Sequence, residues 1–170
     1  MSLDRFYSQP GFFLRRLHQI SIALFYEEAG SMGITPTQFV TLYIVREFPG
    51  TDQGTLCQLA ALDKATVVKV VDRLKSRGLI TKDKSTEDRR ASVLRITPKG
   101  SEVIDEMEPM LNRSAARMTA PLTVREHAIL MKLLLKLAEH NNALSRAPLN
   151  RDAADKPWRE PPSTEQEFDA

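Results

Sequence analysis

Cysteine occurs once in the 170 residues, at Cys57, so no internal disulfide framework can staple the chain and a reducing, cytoplasmic setting is expected. Glycine is scarce too. The seven present form neither a phosphate-cradling loop nor a nucleophile elbow, which leaves a catalytic reading without residues to carry it, so no enzyme is expected. His127 and His140 lie far apart, and no His/Cys/carboxylate group has metal-ligand spacing, so neither metal nor other cofactor is assigned. Long hydrophobic runs are missing: Ile129-Leu130-Met131 is cut by Lys132, and the leucines that follow by Lys136, so no membrane span fits. The first residues, MSLDRFYSQPGFF, lack the basic start and apolar stretch of a secretory leader. An excess of charge of one sign is also absent, since 24 Lys/Arg face 22 Asp/Glu for a formal +2.

What is there is a chain 42% hydrophobic and 27% charged, enough apolar material for a core and enough charge for a polar surface, in one or at most two domains. The charge is unevenly placed. Residues 55–100 hold eleven Lys/Arg against five Asp/Glu, a local +6 that leaves the remainder at −4. Such a segment suits a polyanion, although a solvated face has the same composition, and the pattern must decide.

Phe13, Leu14, Leu17, Ile20, Leu24 and Phe25 recur at three- and four-residue steps, predicting a helix over 11–29 that Gly30 and Gly33 end. Thr35, Pro36 and Gln38 are an N-cap, a first-turn proline and a capping-box partner, opening a second helix that runs to Phe48 before Pro49-Gly50. Asp52 caps a short helix over 53–61, and Asp63 caps another over 64–77 that Gly78 closes. Two helices parted by a turn of about two or three residues have helix-turn-helix spacing. The periodicity then changes. Residues 79–82 and 92–97 are short and rich in β-branched types around a polar stretch, which predicts a hairpin whose tip, 86–91, projects as a wing. Thr97-Pro98 opens a helix toward Met118 that Pro109 should bend, and Thr123 with Glu126 boxes a last helix striped by Ile129, Leu130, Leu133, Leu134, Leu137 and Ala138. From residue 148 on, four of 23 residues are Pro and six acids outnumber three bases, the composition of a disordered tail.

On a helical wheel, residues 64–77 place Val67, Val71 and Leu74 on one arc and Ala65, Thr66, Lys69, Arg73 and Ser76 on the other. One side packs; the other is narrow, basic and short-chained at its start, as a helix entering a major groove needs. At the wing tip the adjacent Arg89 and Arg90 suit a minor groove, with Asp88 placed to hold one guanidinium.

Leu74-Lys75-Ser76-Arg77-Gly78-Leu79-Ile80, followed by Asp88-Arg89-Arg90 and then Leu94-Arg95-Ile96-Thr97-Pro98-Lys99-Gly100, resembles the MarR family of bacterial transcription regulators over about residues 10–145. The resemblance implies a mainly α fold with a small β-hairpin wing, a winged helix-turn-helix plus a helical dimerisation region. The expected division is a domain over 10–147, with its DNA-binding lobe at 35–100, dimerisation helices at 11–29 and 98–145, and a tail at 148–170. It further implies a homodimer that binds near-palindromic double-stranded DNA, acting as a repressor. The residues expected at DNA are Thr55, Lys64, Thr66, Lys69, Arg73, Asp88, Arg89 and Arg90. Pro10-Gly-Phe-Phe-Leu-Arg-Arg-Leu-His-Gln-Ile, with Pro49-Gly-Thr-Asp-Gln and Ala61-Leu-Asp-Lys, is similar to a subgroup controlling hydroxycinnamate and hydroxynicotinate catabolism. That likeness implies a small aromatic acid effector bound between the dimerisation helices and the winged helix. Arg16 and His18 flank the apolar arc of the first helix and Arg15 lies nearly opposite its centre; these three are the candidate ligand contacts, with dimer packing or plain surface charge as the competing account. Two other readings compete: redox sensing through Cys57, against which a small buried hydrophobe is the simpler role, and a winged-helix interaction module without DNA binding, which would have little use for Lys69, Arg73, Arg89 and Arg90.

Overall fold

A computed structural model describes residues 2–84 and 92–154. Seven α-helices and one two-stranded antiparallel sheet appear in the order α1 (Leu3–Tyr7), α2 (Pro10–Ala29), α3 (Pro36–Glu47), α4 (Gln53–Ala60), α5 (Lys64–Ser76), β1 (Ile80–Lys84), β2 (Ser92–Ile96), α6 (Pro98–Thr119) and α7 (Val124–His140). The caps are those the side chains specify. Thr35 and Gln38 bond reciprocally at the start of α3, as do Thr123 and Glu126 at α7. The hairpin pairs Ile80 with Ile96 through Lys84 with Ser92. Pro109 sits inside α6, which is continuous through it. Among the described residues no helix is long and apolar enough to cross a membrane.

Three features were not legible in the sequence. The pentapeptide α1 precedes the first long helix, with Phe6 edge-on to Tyr7 and to Phe12 and Tyr7 tilted against Phe12. Residues 50–52 lie alongside β2 through an isolated antiparallel bridge, with Gly50 N–H donating to Leu94 O (2.9 Å) and Leu94 N–H to Thr51 O (2.8 Å). Residues 149–151, expected to lie in an unpacked tail, instead bond back to α4 and to the end of α7. The disorder expected of 155–170 concerns residues outside those described.

One core unites the central elements. Leu42 and Val45 of α3, Leu56 of α4, Val67, Val70, Val71 and Leu74 of α5, Leu79, Ile80 and Leu94 of the hairpin, and Ile104 and Met107 of α6 are buried together, joined by Phe25 and Ala29 from the end of α2. Burial of each such aliphatic side chain is worth about 1.5–3 kcal/mol. Ion pairs then fix α6 against its neighbours: Arg117 and Arg113 meet Glu28 at 2.8 and 3.0 Å, Arg117 meets Glu27 at 2.7 Å, and Arg46 of α3 meets Asp105 at 2.8 Å. Donation from Arg117 first, then Arg113, holds the Glu28 carboxyl below its ordinary value against a smaller opposing effect of burial.

The terminal helices behave differently. No residue of α7 is buried, and Leu133 and Leu137 are 53% and 56% exposed. Phe13, Leu14, Leu17 and Ile20 of α2 are likewise exposed, although their spacing is that of a packing face. Apolar surface on both helices is thus left uncovered by the described residues.

Candidate nucleic-acid interface

The helix-turn-helix is built on two repeats of one local device. Asp52 caps α4 by accepting from the backbone N–H of Gly54 (2.6 Å) and Thr55 (3.0 Å), and its second oxygen accepts the Thr55 hydroxyl (2.9 Å). Asp63 caps α5 in the same way, accepting Thr66 N–H (2.9 Å) and the Thr66 hydroxyl (2.7 Å). Burial pushes the Asp52 carboxyl up, but the bonds from Thr55 and Gly54 outweigh it, and the group sits below the usual carboxylate value. Donation from Thr66 lowers Asp63. Between the caps Ala61 takes the left-handed conformation at φ 50°, which turns the chain so that Leu62 N–H reaches Cys57 O at 3.0 Å.

The turn sets α5 with Val67, Val70, Val71 and Leu74 in the core and Lys64, Ala65, Lys69, Arg73 and Ser76 exposed. Thr66 is half-buried. With Lys69 and Arg73 it lines an open groove of about 570 Å³ against the start of α3, whose far wall includes Thr35, Thr37 and Gln38. Thr55 is also half-buried, at the start of α4. Its hydroxyl and that of Thr66 are both engaged as donors by the capping aspartates, so each meets an incoming group chiefly as an acceptor. Thr35 and Gln38 look in the sequence like capping residues alone and Thr37 carries no signal there, so their place in the groove is visible only in the fold.

At its far end α5 is clamped to the rest of the lobe. Arg77 donates to Gly33 O (2.6 Å) and Met32 O (3.2 Å) in the turn after α2, and Gly78 turns the chain at φ 70°. The Thr97-Pro98-Lys99-Gly100 segment completes this joint. The Thr97 hydroxyl donates toward the Gly78 and Leu79 carbonyls, Lys99 Nζ donates to Arg77 O (3.2 Å), and a Cβ at Gly100 would overlap the Leu79 carbonyl oxygen. Thr97, Lys99 and Gly100 of that motif therefore each have a steric or hydrogen-bonding reason.

Asp88, Arg89 and Arg90 lie outside the described residues; the strands that carry them end at Lys84 and resume at Ser92. Arg15, Arg16 and His18 are exposed on the first half of α2, the Arg15 guanidinium 5.2 Å from the centre of the Phe12 ring. They do not share the groove formed by α3 and α5. Cys57 is half-buried, and burial, then the Asp63 carboxylate, push its thiol up, so the thiolate that redox chemistry needs is disfavoured. No group of His, Cys and carboxylates among the described residues could hold a metal.

Residues 34–92, which span this lobe, match the MarR family. Over 131 residues the chain is 30% identical to the transcriptional repressor NicR of Pseudomonas putida, covering 77% of this chain and 83% of that one. The chain belongs to the MarR family. It is accordingly a winged-helix transcriptional regulator and not an enzyme. Two solved MarR-like neighbours share the fold closely. A probable transcriptional regulator from Pseudomonas aeruginosa is 34% identical with a TM-score of 0.74, covering 80% of this chain and 99% of that one. BpsR of Bordetella bronchiseptica, whose DNA binding is regulated by 6-hydroxynicotinic acid, is 30% identical with a TM-score of 0.75, covering 78% and 95%.

Proposed function

We propose that this MarR-family chain is a homodimeric repressor that binds a near-palindromic operator and leaves it when a small aromatic carboxylate binds. The observation that carries the reading is the division of α5: four apolar side chains lock one side into the core while Lys64, Lys69 and Arg73 stand exposed on the other. A helix so held presents short side chains first and cations along its length, as major-groove readout requires. Thr55 and Thr66 serve as nearby acceptors or packing groups. Arg90, with Arg89 and Asp88, takes the minor groove from the wing. DNA would lie against residues 35–100 of a domain spanning 10–147, in the cytoplasm where such a target is found.

Dimerisation follows from the apolar surface of α2 and α7. Its residues satisfy helical spacing yet are not covered by the described residues of one chain, and a second copy related by two-fold symmetry buries both helices at once. The effector pocket is assigned to the space between these helices and the winged helix. Arg16, or alternatively Arg15, supplies the cation for the carboxylate and His18 a hydrogen bond; their exposure in the single chain is consistent with a pocket whose wall comes from the partner. The regulated relative BpsR supports the ligand class. The ligand acts by its differential affinity for two dimer arrangements, only one of which sets the paired recognition helices a helical turn of DNA apart.

Footprinting the purified protein on the region upstream of its own gene, with and without a panel of aromatic acids, tests the whole reading. Protection of two symmetric half-sites, lost with at least one acid, is the expected result. Absence of protection, or affinity independent of salt, would instead favour an interaction module, because phosphate neutralisation releases counterions. Sedimentation as a 19.2 kDa monomer at micromolar concentration would remove the dimer.

A further inference from the structure

The segment after α7 is the part of the described chain that the function above leaves unused. It holds two elements at once. Asn142, just beyond α7, donates from Nδ2 to Leu149 O (2.7 Å) and accepts Leu149 N–H at Oδ1 (2.8 Å), a side chain copying the pairing of a β-bridge. Arg151 approaches Glu139 in the last turn of α7 at 3.7 Å. The residue between these anchors faces the other way. Asn150 donates its backbone N–H to Gln58 O (3.0 Å) and its Nδ2 to Gln58 Oε1 (3.0 Å). Gln58 stands in the last turn of α4, where carbonyls lack successors in the helix; the end of α4 itself supplies a long bond from Ala61 N–H, at 3.4 Å. Asn150 thus caps the first helix of the helix-turn-helix from a distant part of the chain.

We propose that residues 142–151 form an intramolecular strap that holds the helix-turn-helix in one orientation relative to the dimerisation helix, with Asn150 and Asn142 as positioning residues for operator binding. Otherwise α7 is joined to the DNA-binding lobe through α6, and it buries no residue of its own in the chain. The strap ends three residues short of the turn at Ala61, so it fixes the element from which α5 departs. Its contacts fall on Gln58 and leave Lys64, Lys69 and Arg73 of α5 exposed, so the strapped arrangement is one that DNA can enter. Without the strap the lobe samples further orientations, and operator binding must freeze them out; affinity falls by the fraction of time the competent arrangement is lost. The inference rests on the DNA-binding reading for its consequence, but not for the contact itself.

Four full-length or truncated proteins test it: the parent, Asn150→Ala, a chain ending at Ala147 and a chain ending at Ala154. Operator and scrambled duplexes are titrated by fluorescence anisotropy, and amide exchange is followed over residues 53–62. Asn150→Ala and the chain ending at Ala147 should bind operator about three- to tenfold more weakly, the range expected for losing one or two exposed hydrogen bonds. Their affinity for scrambled DNA should be unchanged, and exchange at the end of α4 faster. The chain ending at Ala154 should match the parent. Faster exchange with unaltered operator affinity would overturn the positioning role, and unaltered exchange would overturn the strap. Equal losses in both truncations would assign the effect to 155–170, and loss of the dimer in Asn150→Ala would make the segment an interface; either also overturns the proposal. A parent that discriminates no duplex at all refutes the DNA reading, while its exchange data still judge the contact.

Discussion

Replacing Gly100 by Ala isolates one close approach, because a matched control exists in the same chain. Gly11 and Gly100 both lie in the first turn of a long helix that begins with proline, α2 and α6 respectively. The propensity gain of Ala over Gly, up to about 1 kcal/mol, is therefore common to both substitutions. Their surroundings differ. A Cβ at Gly11 meets nothing within 4 Å of its own chain, whereas at Gly100 it would overlap the Leu79 carbonyl oxygen and come within 2.8 Å of Ile96 Cγ1. The Ile96 carbon can turn away, but the Leu79 oxygen is backbone, held by the Thr97 N–H and the Thr97 hydroxyl, both at 3.1 Å. Overpacking of this kind costs about 1–3 kcal/mol, and a backbone obstacle belongs at the upper end. Since the propensity gain cancels between them, Gly100→Ala should fall about 2–3 kcal/mol below Gly11→Ala in denaturant unfolding, followed at one fixed protein concentration because dimerisation contributes to stability. The shift in Tm should be several degrees. Since Thr97 and Gly100 join the recognition helix and wing to α6, the variant should also bind operator more weakly at temperatures where it remains folded. Equal stability of the two variants, within about 0.5 kcal/mol, would refute the steric account.

Arg90→Ala should weaken operator binding by about 1–3 kcal/mol with little change in Tm, while Lys69→Ala should alter which bases are preferred; competition with specific and scrambled duplexes checks both, and parental behaviour in both variants would remove the assigned contacts. Arg16→Ala should keep operator affinity and lose release by aromatic acids, and parental release in Arg15→Ala, Arg16→Ala and His18→Ala alike would show the pocket to be elsewhere. Asp52→Ala should cost about 1 kcal/mol near neutral pH through loss of the α4 cap. Because the Asp52 carboxyl lies below its ordinary value in the folded chain, its contribution is complete above the unfolded value of about 3.9 and disappears as pH falls through the folded one, so parent and variant should converge in acid unfolding. Cys57→Ser should respond to peroxide as the parent does; oxidant-driven release that vanished in this variant would revive the redox reading, against the raised thiol.

Helix starts were legible because capping is local: Thr35 with Gln38, Asp52, Asp63 and Thr123 with Glu126 act within three residues of themselves, and each caps the helix expected of it. The packing side of α5 was legible for a similar reason, since Val67, Val71 and Leu74 recur at helical spacing, and the exposed basic residues follow by geometry. The Leu74 to Ile80 and Thr97 to Gly100 motifs carried the family resemblance before any physical reason for them was visible.

Those reasons come from residues far apart in the chain. Gly100 is required by the carbonyl of Leu79, Arg77 by the carbonyls of Met32 and Gly33, and the groove beside α5 by Thr35 and Thr37 on another helix. Composition makes 148–170 look uniformly unpacked, yet Asn150 finds a weakly bonded carbonyl on α4, on a residue 92 positions away. Periodicity likewise says that α2 and α7 each have an apolar side but not what covers it; only the folded chain shows the core taking Phe25 and Ala29 from the end of α2, leaving Phe13, Leu14, Leu17 and Ile20 exposed, and burying no residue of α7. The sequence by itself determined the longer helices, the hairpin, their caps and the polarity of α5, because those depend on neighbours three or four residues apart. Tertiary structure alone decided which carbonyls and faces were left needing a partner, because that depends on where distant segments meet.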